Sequence, residues 1–578
     1  MNMRSTKRRN GARPFLSTLA RDVRGNTLML VAAALIPLMA MIGSGVDMAR
    51  GYMAQDRLQQ ACDAGVLAAR RQLSGAALTD AVKNEATTYF NFNFPQATYG
   101  VAAFTPVVTV PKAGTVTMTA KTTLPTAIMG IVGIKSMKLA AACSATQDFV
   151  STDIVLVMDM SGSMNCPTSR PDEACGNVEQ SNSKMSALRS AALSLYDTLE
   201  SAQNQLHDNS LRLRYGFVPY NGTVNVGRAV YAKNPDYLRR QLYPYQTRQW
   251  TQVTRQAADA GMSRSECNRV NGDYVYYYGR YYCVYNYTSS EWVYGQYNVD
   301  VSRYITGAAT SIPAQRNGST AKWAGCIEER KTNNTTITGG SSPTTAPSDA
   351  LDLDINRLPD SDDSRWGPWW PEVEFDPSAG GASAQPGNCA SEASRLTEYY
   401  KNRSAFAQYL NNLTPQGATY HDVGMIWGAR FLSSKGIFKS STSETNDQFT
   451  PDNPEKIRGF SVRKYMIFMT DGDMSTYPTI YSTYGLESLD KRVLGSAPVD
   501  AKGTNLTNRH LQRFRMACNA AKGQNIDIWV IAFSTTLTQD MIDCASTPSQ
   551  AAGINTSADL IAKFKEIGSK IGSLRLSR

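Results

Sequence analysis

Three oxygen-bearing side chains directly follow an apolar run in the segment IVLVMDMSGSMN, residues 154–165. The apolar run ends at Asp159, and serines follow at positions 161 and 163. Alternate positions in one loop can aim Asp159, Ser161 and Ser163 in the same direction. Carboxylate and hydroxyl oxygens suit a hard cation such as Mg²⁺, Mn²⁺ or Ca²⁺. Since Mg²⁺ takes about six oxygen ligands, other segments must complete the shell.

Two later segments supply further oxygen donors. The apolar run in KYMIFMTDGD ends at Thr470 and Asp471, and TPQGATYHD presents Thr419 just before a helical pattern. Aspartate and serine at strand ends also form ordinary capping turns, which is the alternative for each segment alone. Taken together, the segments predict one metal site that consists of Asp159, Ser161, Ser163, Thr419 and Asp471. The neighbours Asp473 and His421 are interpreted as solvent-facing loop residues.

The elements that must position these side chains alternate between two patterns. Short continuous apolar runs predict buried strands, as in DIVLVMD, LRYGFVPY, KYMIFMT and IDIWVIAF. Amphipathic patterns between them predict helices, and this alternation is typical of a doubly wound α/β sheet. Ligands of such sheets bind at the carboxyl ends of the strands, near the point where the strand order reverses. The sequence therefore places the metal site at that edge.

One region interrupts this alternation, between residues 226 and 392. It has few helical patterns, and eleven of the 29 tyrosines of the chain lie between Tyr274 and Tyr304. YVYYYGRYYCVYNY predicts two strands joined at Gly279–Arg280. A tyrosine-rich surface can bind a partner, but β-propensity in an inserted hairpin explains the same composition.

The N-terminal segment predicts a membrane anchor. Residues 1–24 carry seven Lys/Arg and one acid, which accounts for most of the net charge of +10 and argues against a nucleic-acid-binding face. Residues 25–46 carry no charge, and as a helix they would span about 33 Å. A cleaved signal peptide is the alternative, but its apolar region is normally shorter. The positive-inside rule places the leader in the cytoplasm and the rest outside, with residues 47–148 forming a membrane-proximal helix and β layer.

Ten cysteines fit an exported chain. No CxxC occurs and only three histidines exist, so the cysteines are better explained by disulfides than by zinc. Local spacing predicts the pairs Cys166–Cys175, Cys267–Cys283, Cys326–Cys389 and Cys518–Cys544.

The metal-site residues resemble a known family. DMSGS, residues 159–163, is similar to the Asp-x-Ser-x-Ser signature of von Willebrand factor A domains, and Thr419 and the Asp471 of TDG follow in the family's order. The resemblance implies a Rossmann-like domain over residues 150–578 with a metal-ion-dependent adhesion site. It also implies that the serines and the threonine ligate the metal directly. The aspartates would act largely through water or from behind the direct ligands, and a carboxylate of a protein partner would complete the shell. Thr419 lies 260 residues after Asp159, which makes residues 226–392 an insertion.

The N-terminus carries a second resemblance. RGNTLMLVAAALIPLMAMIGSGVDMARGYMAQDRLQQACDAGVLAA is similar to TadE/TadG-like proteins of tight-adherence (Flp) pilus assembly, and TYHDVGMIWGARFLS, KWAGCIEER and the closing LRL are similar to members that carry a von Willebrand A domain. This resemblance implies a single-pass protein of the bacterial inner membrane with its bulk in the periplasm or outside. It further implies a role in pilus assembly and surface attachment, with other pilus-assembly components as partners.

Enzymatic and purely structural functions are the alternatives. A haloacid-dehalogenase-type phosphatase would need a second aspartate two residues after Asp159, where this chain has Ser161. No G-x-S-x-G or G-x-x-x-x-G-K-[ST] motif supports hydrolysis or phosphoryl transfer. A scaffold in which the cation only stabilises the sheet edge stays open beside the binding function.

Overall fold

The computed structural model describes residues 26–73, 78–112, 115–146, 150–170, 175–176, 178–374, 387–500 and 503–572. The basic leader, residues 1–24, lies outside the described residues. The chain divides between Phe149 and Val150 into two compact units.

The first unit is built on one long helix, α1 (Asn26–Gln72), which continues through Pro37. Among the described residues, Met29–Gln72 is the one helical stretch long and apolar enough to cross a membrane, with a mean hydropathy of 2.1 in its most apolar part. Its uncharged first half agrees in place with the predicted span. The remaining elements are α2 (Asp80–Asn93), α3 (Gln96–Tyr99), β1 (Val107–Lys112), β2 (Thr115–Pro125) and β3 (Ser136–Thr146).

The hairpin β2–β3 packs along α1. A disulfide joins Cys62 of α1 to Cys143 of β3. Nearer the N-terminus of α1, the side-chain amide of Gln55 exchanges hydrogen bonds of 2.7 and 3.2 Å with the backbone of Ala140. These cross-links fix the register of the hairpin against the helix.

The second unit contains a six-stranded sheet. Its strands are β4 (Thr152–Asp159), β5 (Leu213–Tyr220), β13 (Ser394–Thr397), β17 (Arg463–Thr470), β18 (Ile526–Phe533) and β19 (Ala551–Ile554). They lie in the order β13-β5-β4-β17-β18-β19, and all neighbouring strands are parallel except β13, which pairs antiparallel with β5. In chain order the parallel strands run 2-1-3-4-5, so the order reverses between β4 and β17. The predicted mixed α/β architecture is confirmed.

Helices cover this sheet because its central strands are apolar on both faces; all eight residues of β4 and all eight of β5 are buried. The helices described in the second unit are α4 (Lys184–Asp208), α5 (Gly227–Lys233), α6 (Arg264–Arg269), α7 (Arg403–Asn411), α8 (His421–Leu432), α9 (Glu487–Asp490), α10 (Thr504–Lys522), α11 (Gln539–Cys544) and α12 (Ser557–Gly572), of which α6 packs on the β ribbon and not on this sheet. Helix α8 lies closest to the strands. A Cβ at Gly424 would lie 2.4 Å from the Tyr220 ring, and one at Gly428 would lie 2.5 Å from Val157. Glycine at these two positions therefore permits the close approach.

The tyrosine-rich region forms a long β ribbon. Strands β6 (Leu242–Asp259) and β8 (Arg280–Asp300) pair antiparallel over their full shared length, and β7 (Asp273–Tyr277) adds to β8 at the far end. Tyr277 pairs with Arg280, so the two-residue turn lies at Tyr278–Gly279, one residue before the predicted position. Both turn residues have positive φ, 48° and 80°, as a type I′ hairpin turn requires. Short strands complete the unit: β9 (Thr310–Ser311), β10 (Thr320–Ala321), β11 (Ile327–Glu328), β12 (Gly367–Pro368), β14 (Glu444–Thr445), β15 (Lys456–Ile457) and β16 (Phe460–Ser461).

All ten cysteines are paired. The four predicted disulfides are confirmed, and the fifth joins the two cysteines of the first unit.

Candidate metal site

Asp159 closes β4 at the point where the strand order reverses. One of its carboxylate oxygens, Oδ1, accepts a 2.8 Å hydrogen bond from the backbone N–H of Ser161. The other, Oδ2, accepts a 2.7 Å hydrogen bond from the hydroxyl of Thr470, the last residue of β17. The second bond ties together the carboxyl ends of two adjacent parallel strands.

Asp471 follows β17 and faces the serine loop. Its Oδ1 accepts hydrogen bonds from the hydroxyls of Ser163 at 2.9 Å and Ser161 at 3.3 Å, and the two hydroxyls lie 2.9 Å apart. Its Oδ2 accepts a 3.0 Å hydrogen bond from Nζ of Lys184. The side chains of this ion pair are completely buried. The serine loop and Lys184 therefore converge on a carboxylate that lies 287–310 residues further along the chain.

Thr419 enters from a third loop, which precedes α8. Its backbone forms a two-way bridge with Ser475, with hydrogen bonds of 3.2 and 2.9 Å. Two residues earlier, the carbonyl of Gly417 accepts a 3.0 Å hydrogen bond from the N–H of Gly162 in the serine loop. The threonine loop is thus fixed against both of the other segments.

The converging segments open into a cavity of about 560 Å³. Its lining is rich in hydroxyl and amide groups and includes Ser161, Ser163, Asn388, Thr419, Tyr420 and Asp473. Three of the five predicted ligands therefore reach the cavity wall. Asp159 and Asp471 lie behind that wall, hydrogen-bonded to the serine loop.

Both buried aspartates have perturbed pKa values. Burial, and then the negative charge of Asp471, raise the pKa of Asp159 to about 7. Burial also raises the pKa of Asp471, although the ammonium of Lys184 and the serine hydroxyls oppose this. Two buried carboxylates that disfavour each other's ionisation are the setting in which an added cation is most stabilising.

The donor set fits a hard cation, since it consists of hydroxyl and carboxylate oxygens. Within the described ranges, no three carboxylate, imidazole or thiolate groups lie close enough together to hold a metal ion. A metal at this edge would therefore depend on the hydroxyls of Ser161, Ser163 and Thr419 as well as on the two aspartates.

Sequence reasoning missed two residues and misplaced a third. Lys184 is the first residue of α4, directly after the N-cap Ser183, and its long spacing from the motif gave no signal. Thr470 opens the TDG segment, but nothing in the sequence marks its hydroxyl as the partner of Asp159. His421 is buried rather than solvent-facing, because its Nε2 lies 2.9 Å from the Thr470 hydroxyl, and burial lowers its pKa to about 4. Asp473 is exposed at the cavity, as predicted.

Comparison with known families gives one match, near the N-terminus. Residues 25–77 match the family model described as putative Flp pilus-assembly TadE/G-like. No curated protein matches the chain. The resemblance predicted for the N-terminal segment is confirmed over these residues, and the match supports a pilus-related role for a membrane-anchored protein.

Solved structures give weaker likenesses. The pilus adhesin SpaC from Lactobacillus rhamnosus GG is 11% identical, with a TM-score of 0.30 over 82% of this chain and 34% of that chain. A mutant of the PilB minor pilin from Streptococcus sanguinis is 10% identical, with a TM-score of 0.28 over 79% of this chain and 75% of that chain. Proximal thread matrix protein 1 from the mussel byssus, with a zinc-occupied MIDAS motif, is 13% identical, with a TM-score of 0.16 over 32% of this chain and 35% of that chain. This chain spans about a third of SpaC. Scores this low assign neither fold nor function.

Proposed function

We propose that this protein is a membrane-anchored, metal-dependent binding protein of tight-adherence pilus assembly. Its second unit is proposed to be a von Willebrand A domain that holds Mg²⁺, or Mn²⁺ or Ca²⁺ in its place, at a metal-ion-dependent adhesion site. The protein is not an enzyme in this proposal. It crosses the bacterial inner membrane once, with the leader in the cytoplasm and the second unit on the other side.

The observation that carries the proposal is the contact of Asp471 with Ser161 and Ser163 at the strand-order reversal. These residues lie 308 and 310 positions apart in the chain, yet their oxygens are within 2.9–3.3 Å. Ligands of open parallel sheets bind at this edge. The hydroxyls of the serine loop and Thr419 also face a cavity large enough to admit a side chain of a partner.

Each residue has a distinct part in this proposal. Ser161, Ser163 and Thr419 would hold the cation, while Asp159 and Asp471 would supply the negative charge behind them. The bound cation offers a coordination position to a carboxylate of another pilus-assembly component. Thr470 keeps Asp159 oriented through its 2.7 Å hydrogen bond.

Isothermal titration of the full-length protein with Mg²⁺, Mn²⁺ and Ca²⁺ tests the site. We expect saturable binding by the wild type, and its loss in the double variant Ser161→Ala, Ser163→Ala. The matched control is Ser441→Ala, Ser443→Ala, an exposed serine pair with the same spacing. If the control loses binding as well, or if the double variant retains it, the metal lies elsewhere.

A second candidate function is a structural scaffold in which no partner is bound through metal. The buried pair of Lys184 with Asp471 favours it, because the chain itself neutralises one carboxylate of the site. Pilus output and surface attachment of cells that carry the serine double variant separate the two functions. A fall in both supports metal-dependent binding, whereas unchanged output despite lost metal supports the scaffold.

A further inference from the structure

The turn of the hairpin β2–β3 is an apolar loop with no polar side chain at its centre. Its sequence from 126 to 135 is TAIMGIVGIK, in which Lys135 is the first charge. A short 3₁₀ turn, Met129–Val132, forms its middle, and none of the four residues is buried. Ile131 is 81% exposed, Val132 50% and Ile134 46%. Contiguous exposed apolar side chains on one short loop mark a surface that another apolar phase covers.

A single carboxylate fixes this loop to α1. Asp47 accepts hydrogen bonds from the backbone N–H groups of Ala127, Ile128 and Met129 at 2.9, 2.8 and 2.7 Å. Asp47 is itself completely buried. It is also the first charged residue after the uncharged segment 25–46. The loop is therefore held at the level where the apolar half of α1 ends.

A second contact places the loop on the apolar half itself. A Cβ at Gly43 would lie 2.1 Å from the side chain of Ile128, so the isoleucine lies directly on the helix surface there. Gly43 is four residues before Asp47, about 6 Å along the helix axis. Part of the loop thus lies at the depth of the segment that would be surrounded by lipid.

The backbone of the loop is suited to an environment without water. Besides the three amides bound by Asp47, the N–H groups of Thr126, Ile131, Gly133 and Ile134 donate to carbonyls within the loop. The hydroxyl of Thr126 also donates to the carbonyl of Ile134. Irregular backbone that is exposed to lipid does not occur in the hydrocarbon core, so this loop can enter only the interfacial region, where its internal hydrogen bonds reduce the cost of leaving water.

We propose that residues 126–134 insert into the lipid bilayer beside α1. Ile131, Val132 and Ile134 contact acyl chains, and Lys135 lies at the headgroup level, where lysine favours the interface. The hairpin is then a second membrane contact, and it sets the height and rotation of the first unit above the bilayer. The inference rests on the membrane anchor of the proposed function and is independent of the metal site.

Tryptophan quenching in proteoliposomes tests this insertion. Ile131→Trp is introduced into the full-length protein, and its added emission is obtained as the difference from the wild type. The matched control is Phe92→Trp on α2, whose side chain is 82% exposed. Ala86 of α2 packs on Gly65 of α1, 18 residues beyond Asp47 or about 27 Å along the axis. Phe92 lies six residues, or about 9 Å, further along α2, so it remains at least about 18 Å beyond the level of Asp47. The control therefore lies far above the membrane.

Interfacial segments sit roughly 5–10 Å below the headgroup boundary, so lipids brominated in the upper acyl chain should quench the added emission at position 131 about twofold. The emission intensity of the control should not change with brominated lipid, and its emission maximum should lie at the long wavelength of a tryptophan in water. Equal quenching at the two positions overturns the proposal. A blue-shifted emission at position 131 that bromine does not quench also overturns it, because a second protein copy then covers the loop.

Flotation of the same samples separates this inference from the anchor. Protein that floats with the vesicles without quenching at position 131 refutes loop insertion alone. Protein that does not float with the vesicles refutes the membrane anchor and, with it, the inserted loop.

Discussion

Replacing Asp159 with asparagine should stabilise the second unit in the absence of a divalent cation, and a divalent cation should remove most of this advantage over the wild type. In the metal-free protein, burial and Asp471 raise the pKa of Asp159 to about 7, from an ordinary value of 3.8. A folded-state pKa above the unfolded value means that this group favours folding at low pH. Its contribution then falls as the pH rises from about 4 to about 7. At 1.36 kcal/mol per tenfold change in proton affinity, the full penalty at pH 8 is roughly 4 kcal/mol, an upper bound because the two aspartates titrate together.

The asparagine side chain can keep a hydrogen bond to each of the two groups that contact the Asp159 carboxylate. Its oxygen can keep the hydrogen bond that Ser161 N–H donates to Oδ1 at 2.8 Å. Its amide then faces the hydroxyl of Thr470. That hydroxyl also lies 3.0 Å from the carbonyl of Gly472, so it can donate there and accept from the amide. The substitution therefore removes the charge and preserves the packing.

Thermal and denaturant unfolding followed by tryptophan emission measures the effect. All eight tryptophans lie between Trp250 and Trp529, so the signal reports the second unit alone. In EDTA at pH 8 we expect the free energy of unfolding of Asp159→Asn to exceed that of the wild type by roughly 2–4 kcal/mol, and the difference to shrink at pH 5. At a Mg²⁺ concentration 100 times its Kd, the wild type should gain about 2.7 kcal/mol and the variant nothing.

Asp153→Asn is the matched control, since Asp153 is buried in the same strand at its other end. Burial raises the pKa of Asp153, but Arg214, with its Nη2 2.8 Å from Oδ2, outweighs this and the pKa is lowered. The control should therefore lose stability at pH 8, equally with and without Mg²⁺. Lower stability of Asp159→Asn in EDTA at pH 8, or equal stabilisation of that variant and the wild type by Mg²⁺, would refute the reasoning.

Two further predictions concern the same edge of the sheet. Lys184→Met leaves the buried carboxylate of Asp471 without its ammonium partner, so tryptophan-monitored unfolding in EDTA at pH 8 should show a free energy of unfolding about 3–5 kcal/mol lower than that of the wild type. Mg²⁺ should raise the free energy of unfolding of this variant more than that of the wild type. Equal stability of the two proteins in EDTA would mean that the ion pair is not formed. Gly424→Ala places a Cβ 2.4 Å from the Tyr220 ring, so we expect a loss of about 1–3 kcal/mol, whereas Gly553→Ala, with its nearest atom at 3.5 Å, should lose much less.

Local patterns in the sequence were sufficient for four of the six strands of the central sheet, β4, β5, β17 and β18, and for their order along the chain. The continuous apolar run that ends at Asp159 is a buried strand, because both of its faces must avoid water. The uncharged stretch before Asp47 lies within one long helix, as its length and its lack of charge predicted. Disulfides between nearby cysteines were also predictable, since short loops keep their ends close. The position of the hairpin turn was missed by one residue, because Gly279 can occupy either turn position while Tyr278 gives no signal for positive φ.

The tertiary structure decided the contacts that these side chains make, although the motifs had already grouped Asp471 with Ser161 and Ser163. Strand order is not encoded in hydrophobic periodicity, so the adjacency of β4 and β17, and with it the contact of Asp471 with Ser161 and Ser163, depended on how the strands assemble. The burial of Lys184 and His421 was decided in the same way, because polar residues enter a core only where a specific partner compensates the loss of water. The attachment of the 126–135 loop to Asp47 joins residues about 80 positions apart, a separation that no local pattern spans.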